Sequence, residues 1–272
     1  IEGHNLFEFD LPYIAARAQV HNVSLTWGRD GSPLRAGHGR QRYKVGAQRP
    51  DFRPSYIHGR HIIDTYHQVQ RYDIGGKLES YGLKPVVRAL GLERPDRTFV
   101  EGPEIAQTWH TDPQKLIAYA LDDVLDVRDL SKLVVPTEFY QTQVLPYTFQ
   151  SAALSGIGEK INAMMVGHYL RRGLAIPRPR KNKDLGGGYT KLVADGIFQR
   201  VVKADVESLY PSIMLSNQIH PATDTENSFL PMLEHLTNRR LEAKTNFQKA
   251  TTETDRTYWD GLQGSYKILI NS

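Results

Sequence analysis

A nine-residue segment, Asp205–Ile213, carries the residue types that a metal-assisted reaction at phosphate needs. Asp205 can offer hard oxygen ligands to Mg²⁺. The backbone amides from Ser208 to Tyr210 are predicted to lie at a helix N-terminus, where anions are favoured. Pro211 fits the first turn of that helix. The pattern predicts a metal ion held beside a phosphate, with the Tyr210 ring next to it. An ordinary strand–turn–helix is the alternative, which the order of all nine residues disfavours.

Two pairs of polar side chains near the end of the chain have helical spacing. Arg240 and Lys244 are four residues apart, and so are Lys267 and Asn271. Residues at this spacing lie on one helix face, so each pair could contact one ligand. Phosphoryl transfer needs cations that orient and neutralise a triphosphate. Alone, each pair is better explained as a solvated helix face.

A second set of candidate residues lies in the first half of the chain. Asp10 ends the segment from Asn5 to Phe9, and Tyr119 precedes Asp123 by four residues. One helix face would present both the Tyr119 hydroxyl and the Asp123 carboxylate. Metal-assisted hydrolysis needs carboxylates that hold the metal and a group that positions the attacking water. Tyr-x-x-x-Asp alone is common and favours an ordinary helix.

The elements that must position these residues are predicted from hydrophobic spacing and from helix start and stop signals. Strands are predicted at Ile1–Asp10, at His61–Asp64 and, as a buried strand, at Arg200–Ala204. Turn residues at 27–33 predict one end of a hairpin. Helices are predicted at Leu11–Val23, at Leu78–Leu92, from the Asp112 N-cap through Leu130, at Ser155–Arg172 with Gly173 as its end, at Leu230–Lys249 and at Tyr258–Ser272.

Composition places the chain among globular proteins with a large core. Its 272 residues are 40% hydrophobic and 24% charged, which favours two structural units. The absence of cysteine excludes disulfides and thiolate metal sites. No apolar run approaches the ~20 residues that span a membrane, and no secretory signal pattern is present. We therefore expect no membrane partner and a location that is cytoplasmic (nucleoid-associated) or viral, and not secreted.

Basic residues are concentrated in two stretches. The net charge of +4 permits a polyanionic partner but indicates it weakly. Each stretch alone is better explained as a solvated face, whereas beside phosphate chemistry a nucleic-acid contact is favoured. The first stretch contains Arg35, Arg40, Arg42, Lys44, Arg49 and Arg53, and the second Arg171, Arg172, Arg178, Arg180, Lys181 and Lys183.

The segment Asp205–Ile213 resembles motif A of family B DNA polymerases, D-x-x-S-L-Y-P-S-I. Only Val206 and Glu207 fall on variable positions. The resemblance implies that Asp205, with Val206 beside it, binds the catalytic metal ions. It also implies that the backbone of Ser208, Leu209 and Tyr210 contacts the triphosphate, and that the Tyr210 ring rejects a 2′-hydroxyl.

Two further segments resemble the fingers of the same family. Lys267–Ser272 is similar to the start of motif B, K-x-x-x-N-S, and Arg240–Lys244 to the R-x-x-x-K of the partner helix. The resemblance implies triphosphate contacts from Arg240, Lys244 and Lys267, with Asn271 close to the nucleotide. Because Arg239 directly precedes Arg240, the arginine of this motif is either Arg240 or Arg239. Gly187, Gly188 and Tyr189 resemble the glycine-rich element that touches the template backbone.

The first half of the chain resembles the exonuclease motifs of this family. Asn5–Tyr13 is similar to the second motif, N-x-x-x-F-D-x-P-Y, and Tyr119–Asp123 to the third, Y-x-x-x-D. The resemblance implies Asp10 and Asp123 as metal ligands, and Tyr119 as the residue that positions water. Asn5 and Phe9 would shape a site for single-stranded DNA. Asp64 is interpreted as structural.

The resemblance implies an α/β fold, with a ribonuclease H-like 3′–5′ exonuclease domain of mixed sheet and helices. Part of an α+β palm and a helical fingers segment would follow. The predicted divisions are 1–147 for the exonuclease domain without its first strand or strands, 148–228 for the first part of the palm, and 229–272 for fingers helices truncated within motif B.

The function implied is template-directed DNA synthesis from deoxynucleoside triphosphates, with proofreading and two Mg²⁺ ions per active site. Primer-template DNA and a processivity factor are the implied partners. The first exonuclease motif, D-x-E, is expected before Ile1, and motif C, D-T-D-S, after Ser272, so this chain alone is expected to be inactive. Two alternatives stay open: a nuclease with a decayed polymerase half, and a non-catalytic paralogue that binds primer-template.

Overall fold

The structure is a computed structural model that describes residues 1–42, 51–73, 75–178, 189–206 and 208–271. The chain divides into two compact units, Ile1–Lys160 and Ile161–Ser272. Within the described residues, no helix is both long enough and apolar enough to cross a membrane. The number of units agrees with the two that composition favours, whereas the divisions at 147 and 228 stay a prediction.

The part of the first unit that the structure describes contains six short strands in three pairs. One pair is parallel and joins residues about 60 positions apart, whereas the other two are antiparallel. Both orientations therefore occur, as a mixed fold predicts, but over the described residues they form three separate two-stranded ladders. The strands are β1 Glu2–Gly3, β2 Arg35–Ala36, β3 Gln41–Arg42, β4 Asp51–Phe52, β5 Ser55–Tyr56 and β6 Ile63–Asp64, paired β1 with β6, β2 with β5 and β3 with β4.

Helices supply most of the regular secondary structure that is described in the first unit. The longest begins after Asp112, whose carboxylate accepts a hydrogen bond from the Lys115 amide at 3.0 Å, and Pro113 occupies its first position. This N-cap with a following proline starts a helix as predicted. The helices are α1 Leu11–Val20, α2 Thr65–Tyr72, α3 Leu83–Ala89, α4 Ile105–Thr111, α5 Pro113–Val134, α6 Pro136–Gln141 and α7 Phe149–Leu154, with a 3₁₀ turn at Gly102–Glu104.

The core of this unit packs α2, α3 and β6 against the C-terminal half of α5. Val69, Val86 and Leu130 are fully buried there, with Ile63 and Val134 beside them. Burial of one such side chain stabilises the fold by about 1.5–3 kcal/mol. This packing fixes α5, and therefore the helix face that carries Tyr119 and Asp123.

The prediction of a strand over Ile1–Asp10 is wrong beyond Gly3. A π-helix, Leu6–Asp10, follows β1 after a left-handed residue, Asn5, at φ 69°. A Cβ at Gly3 would lie 2.5 Å from Leu6 Cδ2, so the chain turns back tightly at this point. A strand cannot continue through that turn.

The second unit is built around a helical pair. Leu233, Leu236 and Ala243 of one helix and Leu262 and Leu269 of the next are buried between them. The pair is predicted correctly, although the last helix begins earlier than Tyr258. The helices are α8 Ile157–Arg171, which begins in the first unit, α9 Leu209–Ser216, α10 Phe229–Lys249 and α11 Glu253–Ile270.

The prediction of a buried strand at Arg200–Ala204 is also wrong. Residues 200–206 form no strand, and Val201 and Val202 are 75% and 90% exposed. A β-strand needs a neighbouring strand for its backbone hydrogen bonds, and no described strand pairs with this segment. An apolar run without that partner stays exposed.

Candidate functional site

In the first unit, Asp64 fixes the backbone of the segment that contains Asn5 and Asp10. Its buried carboxylate accepts hydrogen bonds from the amides of Asn5 at 2.7 Å, Phe7 at 3.1 Å and Tyr66 at 3.1 Å. Burial raises the pKa of Asp64 to about 6, while these hydrogen bonds act in the opposite direction. The contacts support the interpretation of Asp64 as structural, because its oxygens hold the strained turn at Asn5.

Asp10 ends the π-helix directly before α1 and is half-buried. Burial raises the pKa of its carboxyl group. Beside it, the Phe9 and Tyr13 rings stack at 6.1 Å between centroids with an interplanar angle of 9°. Both rings are largely exposed, so they offer a flat apolar surface on which a nucleic-acid base could stack.

On α5, each member of the Tyr119–Asp123 pair contacts a cation. Lys84 Nζ donates a hydrogen bond to the Tyr119 hydroxyl at 2.7 Å and lies 4.4 Å from the centre of that ring. Arg97 forms an ion pair with Asp123, and its guanidinium lies 5.8 Å from the Tyr119 ring centre. The hydroxyl and the carboxylate thus share one helix face, as their spacing predicts.

A network of buried and partly buried ion pairs lies along this face. Arg97 Nε donates to Asp126 at 2.6 Å, and both side chains are 1% exposed. Arg94 Nη2 lies 3.1 Å from carboxylate oxygens of both Asp122 and Asp126. The loop that holds the two arginines is therefore fastened along the acidic side of α5.

In the second unit, one hydrogen bond connects two segments that the sequence predicts to share a ligand. Ser208, left-handed at φ 51°, precedes α9, and its hydroxyl accepts a hydrogen bond from Arg240 Nη1 of α10. The neighbouring Arg239 instead pairs with Glu242 at 2.9 Å. Of the two adjacent arginines, Arg240 is therefore the one that faces the start of α9.

The remaining predicted residues of the second unit are mostly exposed. Leu209 and Tyr210 are 45% and 62% exposed in the first turn of α9, and Lys244 is partly buried one turn beyond Arg240. Lys267 and Asn271 lie at the end of α11, where the side-chain Nδ2 of Asn271 donates a hydrogen bond to the Lys267 backbone carbonyl at 2.8 Å. The i,i+4 relation of this pair is observed, but its side chains are not joined.

Asp205 and Val206 lie in the exposed segment before α9. The Asp205 carboxylate accepts a hydrogen bond at 3.0 Å from the Val206 amide. Gly187 and Gly188 are outside the described residues, and Tyr189 is 89% exposed. The structure therefore brings Ser208 and Arg240 together, but it does not join Asp205 to them.

Three comparisons relate the chain to known proteins. Residues 1–86 match the model of the DNA polymerase family B exonuclease domain. Two DNA polymerases, from Pyrococcus glycovorans and Thermococcus gorgonarius, are 25% and 24% identical to the chain, and each alignment covers 99% of it. The resemblance to family B DNA polymerases is confirmed.

The solved structure of a family B DNA polymerase from Pyrobaculum calidifontis has the same fold. It matches all of this chain with a TM-score of 0.68 at 19% identity. The chain spans 37% of the length of the two curated relatives and 38% of the structural neighbour. Its likeness to family B polymerases therefore extends along the chain, over about a third of each relative.

The donor chemistry of the predicted metal ligands suits the divalent ions that family B polymerases use. Carboxylate oxygens are the ligands that Mg²⁺ prefers, and Asp10, Asp123 and Asp205 provide them. Among the described residues, however, no three His, Asp or Glu side chains converge on one point. Asp10, Asp123 and Asp205 can thus each contribute one carboxylate, and none of them lies in a group of three that could hold the ion.

The cations that contact Tyr119 and Asp123 were not predicted from the sequence. Lys84 lies 35 positions before Tyr119, directly after Leu83 in a segment noted only for its spacing. Arg94 and Arg97 lie in a loop for which the sequence predicted no motif. The acidic spacing of Asp122 and Asp126 on α5 was a usable signal, because a row of carboxylates on a buried helix face requires cations nearby.

Proposed function

We propose that this chain belongs to an enzyme that synthesises DNA from a template and removes mispaired 3′ ends. Residues 1–147 would form the exonuclease domain, 148–228 the first part of the palm and 229–272 the fingers helices. The substrates would be deoxynucleoside triphosphates and primer-template DNA, and a processivity factor would be a further partner. The 1–86 match to an exonuclease domain supports the nuclease half.

The contact between Arg240 and Ser208 is the observation that carries the polymerase half. Ser208 begins the helical part of the segment D-x-x-S-L-Y-P-S-I, and Arg240 begins R-x-x-x-K. Two motifs that would bind opposite sides of one triphosphate thus meet through these polar residues. Arg240, Lys244 and Lys267 would orient the triphosphate, with Asn271 close by, and the Tyr210 ring would exclude a 2′-hydroxyl.

The nuclease half depends on the Tyr119–Asp123 pair and on residues of the Asn5–Tyr13 segment. Asp10 and Asp123 would hold Mg²⁺, which supplies charge stabilisation and an activated water when bound. Tyr119 would orient that water through its hydroxyl. Asn5 would line the path of a single strand, while the stacked Phe9 ring, beside Tyr13, would support a terminal base.

Two substitutions in the natural polypeptide that contains this chain test the proposal. Asp205→Asn should abolish templated primer extension and keep 3′–5′ degradation of single-stranded DNA, whereas Asp123→Asn should do the reverse. Asp195→Asn and Asp129→Asn are the matched controls, because they neutralise carboxylates of the same segment and the same helix outside the proposed sites. Extension that survives Asp205→Asn would refute the polymerase assignment.

The 272-residue chain alone should show neither activity, because two-metal chemistry needs bridging carboxylates that offset the repulsion of the ions. The described residues supply too few of them at one place. Templated extension by this chain, lost in Asp205→Asn, would contradict that expectation.

A nuclease with a decayed polymerase half is the second candidate function. The exonuclease-domain match over residues 1–86 favours it, and so does the exposure of Asp205, whose carboxylate accepts its hydrogen bond from the neighbouring Val206 amide. The natural polypeptide would then degrade single strands and fail to extend a primer even without substitution.

A further inference from the structure

Lys84 is a cation that contacts the Tyr119–Asp123 face. It lies outside both exonuclease-like motifs, Asn5–Tyr13 and Tyr119–Asp123. It occupies the first turn of α3, between Leu83 and Pro85, and it is only partly exposed. Among the described residues no carboxylate lies within ion-pair distance of its ammonium group, whereas both nearby arginines of this face have acidic partners. Its ammonium group donates a hydrogen bond to the Tyr119 hydroxyl.

The direction of that hydrogen bond determines what the Tyr119 hydroxyl can do. A lysine ammonium group has three donors and no acceptor, so at 2.7 Å the hydroxyl oxygen must accept. One lone pair is then occupied, and the O–H of Tyr119 is left to donate elsewhere. A positive donor also polarises the hydroxyl and strengthens its own donation.

We propose that Lys84 is a positioning residue for the exonuclease reaction, and that it fixes the Tyr119 hydroxyl as a donor directed at the attacking water. This inference rests on the proposed nuclease function. Lys84 acts through Tyr119: the nearby ring centre, 4.4 Å from Nζ, shows that the ammonium group packs against the tyrosine itself. The packing of α3 against α5 keeps Lys84 next to Tyr119.

Hydrolysis kinetics in the natural polypeptide test the proposal. With a single-stranded DNA substrate, Lys84→Met should lower kcat about tenfold, the rate equivalent of one charge-assisted hydrogen bond, and change KM less than about threefold. Lys84→Arg should restore most of the loss. Lys115→Met is the control, because it removes an exposed lysine from α5 one turn before Tyr119, and it should leave kcat unchanged.

A double-mutant cycle separates positioning from a direct phosphate contact. If Lys84 acts through the hydroxyl, Lys84→Met should have almost no further effect in a Tyr119→Phe background. An equal loss in both backgrounds, or a change confined to KM, would overturn the proposal and indicate an independent contact with the DNA backbone.

A second readout does not depend on activity. In the 272-residue chain labelled with ¹³Cζ-tyrosine, the Tyr119 signal is the one that Tyr119→Phe removes. Lys84→Met should shift this signal, and Lys115→Met should not. An unshifted signal would overturn the role of Lys84 whatever the enzyme does. If the signal shifts but the natural polypeptide has no nuclease activity, the proposed function is refuted and the contact between Lys84 and Tyr119 stands.

Discussion

The two candidate regions differ in how their acidic residues are held. On α5, Asp123 forms an ion pair with Arg97. Two neighbouring residues of the same helix are also paired: Asp122 with Arg94, and Asp126 with both Arg94 and Arg97. Asp205 lies in an exposed segment without secondary structure, where its carboxylate accepts a hydrogen bond from the following amide. A helix satisfies its backbone hydrogen bonds internally, whereas a strand depends on another strand. A motif on a helix is therefore positioned by the helix itself, whereas a motif predicted on a strand is positioned only when another strand pairs with it.

The largest effect should come from breaking the network that holds the first region. Asp126→Asn leaves Arg97 buried with one fewer negative partner, and Arg94 without its buried contact. Removal of one partner of a buried ion pair costs about 3–5 kcal/mol, so the first unit should unfold at a clearly lower urea concentration. Urea unfolding followed by circular dichroism measures this.

Asp129→Asn is the control for that substitution. Asp129 pairs with Arg128 and Lys132 on the exposed side of the same helix, where an ion pair contributes about 0–1 kcal/mol. Equal losses in the two variants would show that the buried network is not what fixes α5.

The next effect concerns Asp64 and its dependence on pH. Its pKa is raised by burial from 3.8 to about 6, so the folded state holds the proton more tightly than the unfolded state does. The stabilisation from this proton is complete below about pH 3.8 and is lost as the pH rises through 6. Between about pH 7 and pH 4, wild type should gain about 2–3 kcal/mol relative to Asp64→Asn.

Urea unfolding of both proteins across this pH range measures that difference. An asparagine side chain does not titrate, so subtraction removes the contribution of every group that is not coupled to Asp64 as Asp10 is. A difference that stays constant with pH, or that grows towards high pH, would mean that the three amide hydrogen bonds outweigh burial at this carboxylate.

A smaller effect is expected in the second unit. Ser208→Ala removes the hydrogen bond from Arg240 and should destabilise the start of α9 by about 1 kcal/mol. The amide of Ser212, which donates to the Ser208 carbonyl at 2.9 Å, should then exchange its hydrogen faster. Ser216→Ala, at the exposed end of the same helix, is the control. Unchanged exchange at Ser212 in Ser208→Ala would show that Arg240 does not anchor this helix.

Local signals in the sequence predicted the long helices well. Asp112 and Pro113 start α5, and Gly173, at φ 68°, follows the end of α8, because each residue acts on the backbone next to it. The strands were predicted poorly: β1 is two residues long, and its partner β6 lies about 60 positions away. Pairing over that distance depends on contacts that spacing alone does not reveal.

The candidate sites show the same limit. Spacing placed Tyr119 and Asp123 on one face, because the relation lies within one helix. It could not choose between Arg239 and Arg240, since the choice depends on which of them reaches Ser208. Nor could it find Lys84, whose contact with Tyr119 requires α3 to pack on α5. The motifs predict the reacting groups, whereas tertiary packing decides which side chains contact them.

The smallest effect is expected where the strand prediction is wrong. Val202→Pro should change the free energy of unfolding by less than about 0.5 kcal/mol, because Val202 is 90% exposed and its segment has no ladder to interrupt. Val124→Pro is the control, since that valine is also exposed, at 65%, but lies inside α5, where proline costs about 3 kcal/mol or more. Urea unfolding of the 272-residue chain measures both. A cost above about 1 kcal/mol for Val202→Pro would mean that residues 200–204 form a paired strand in solution, and the contrast between the two acidic regions would then disappear.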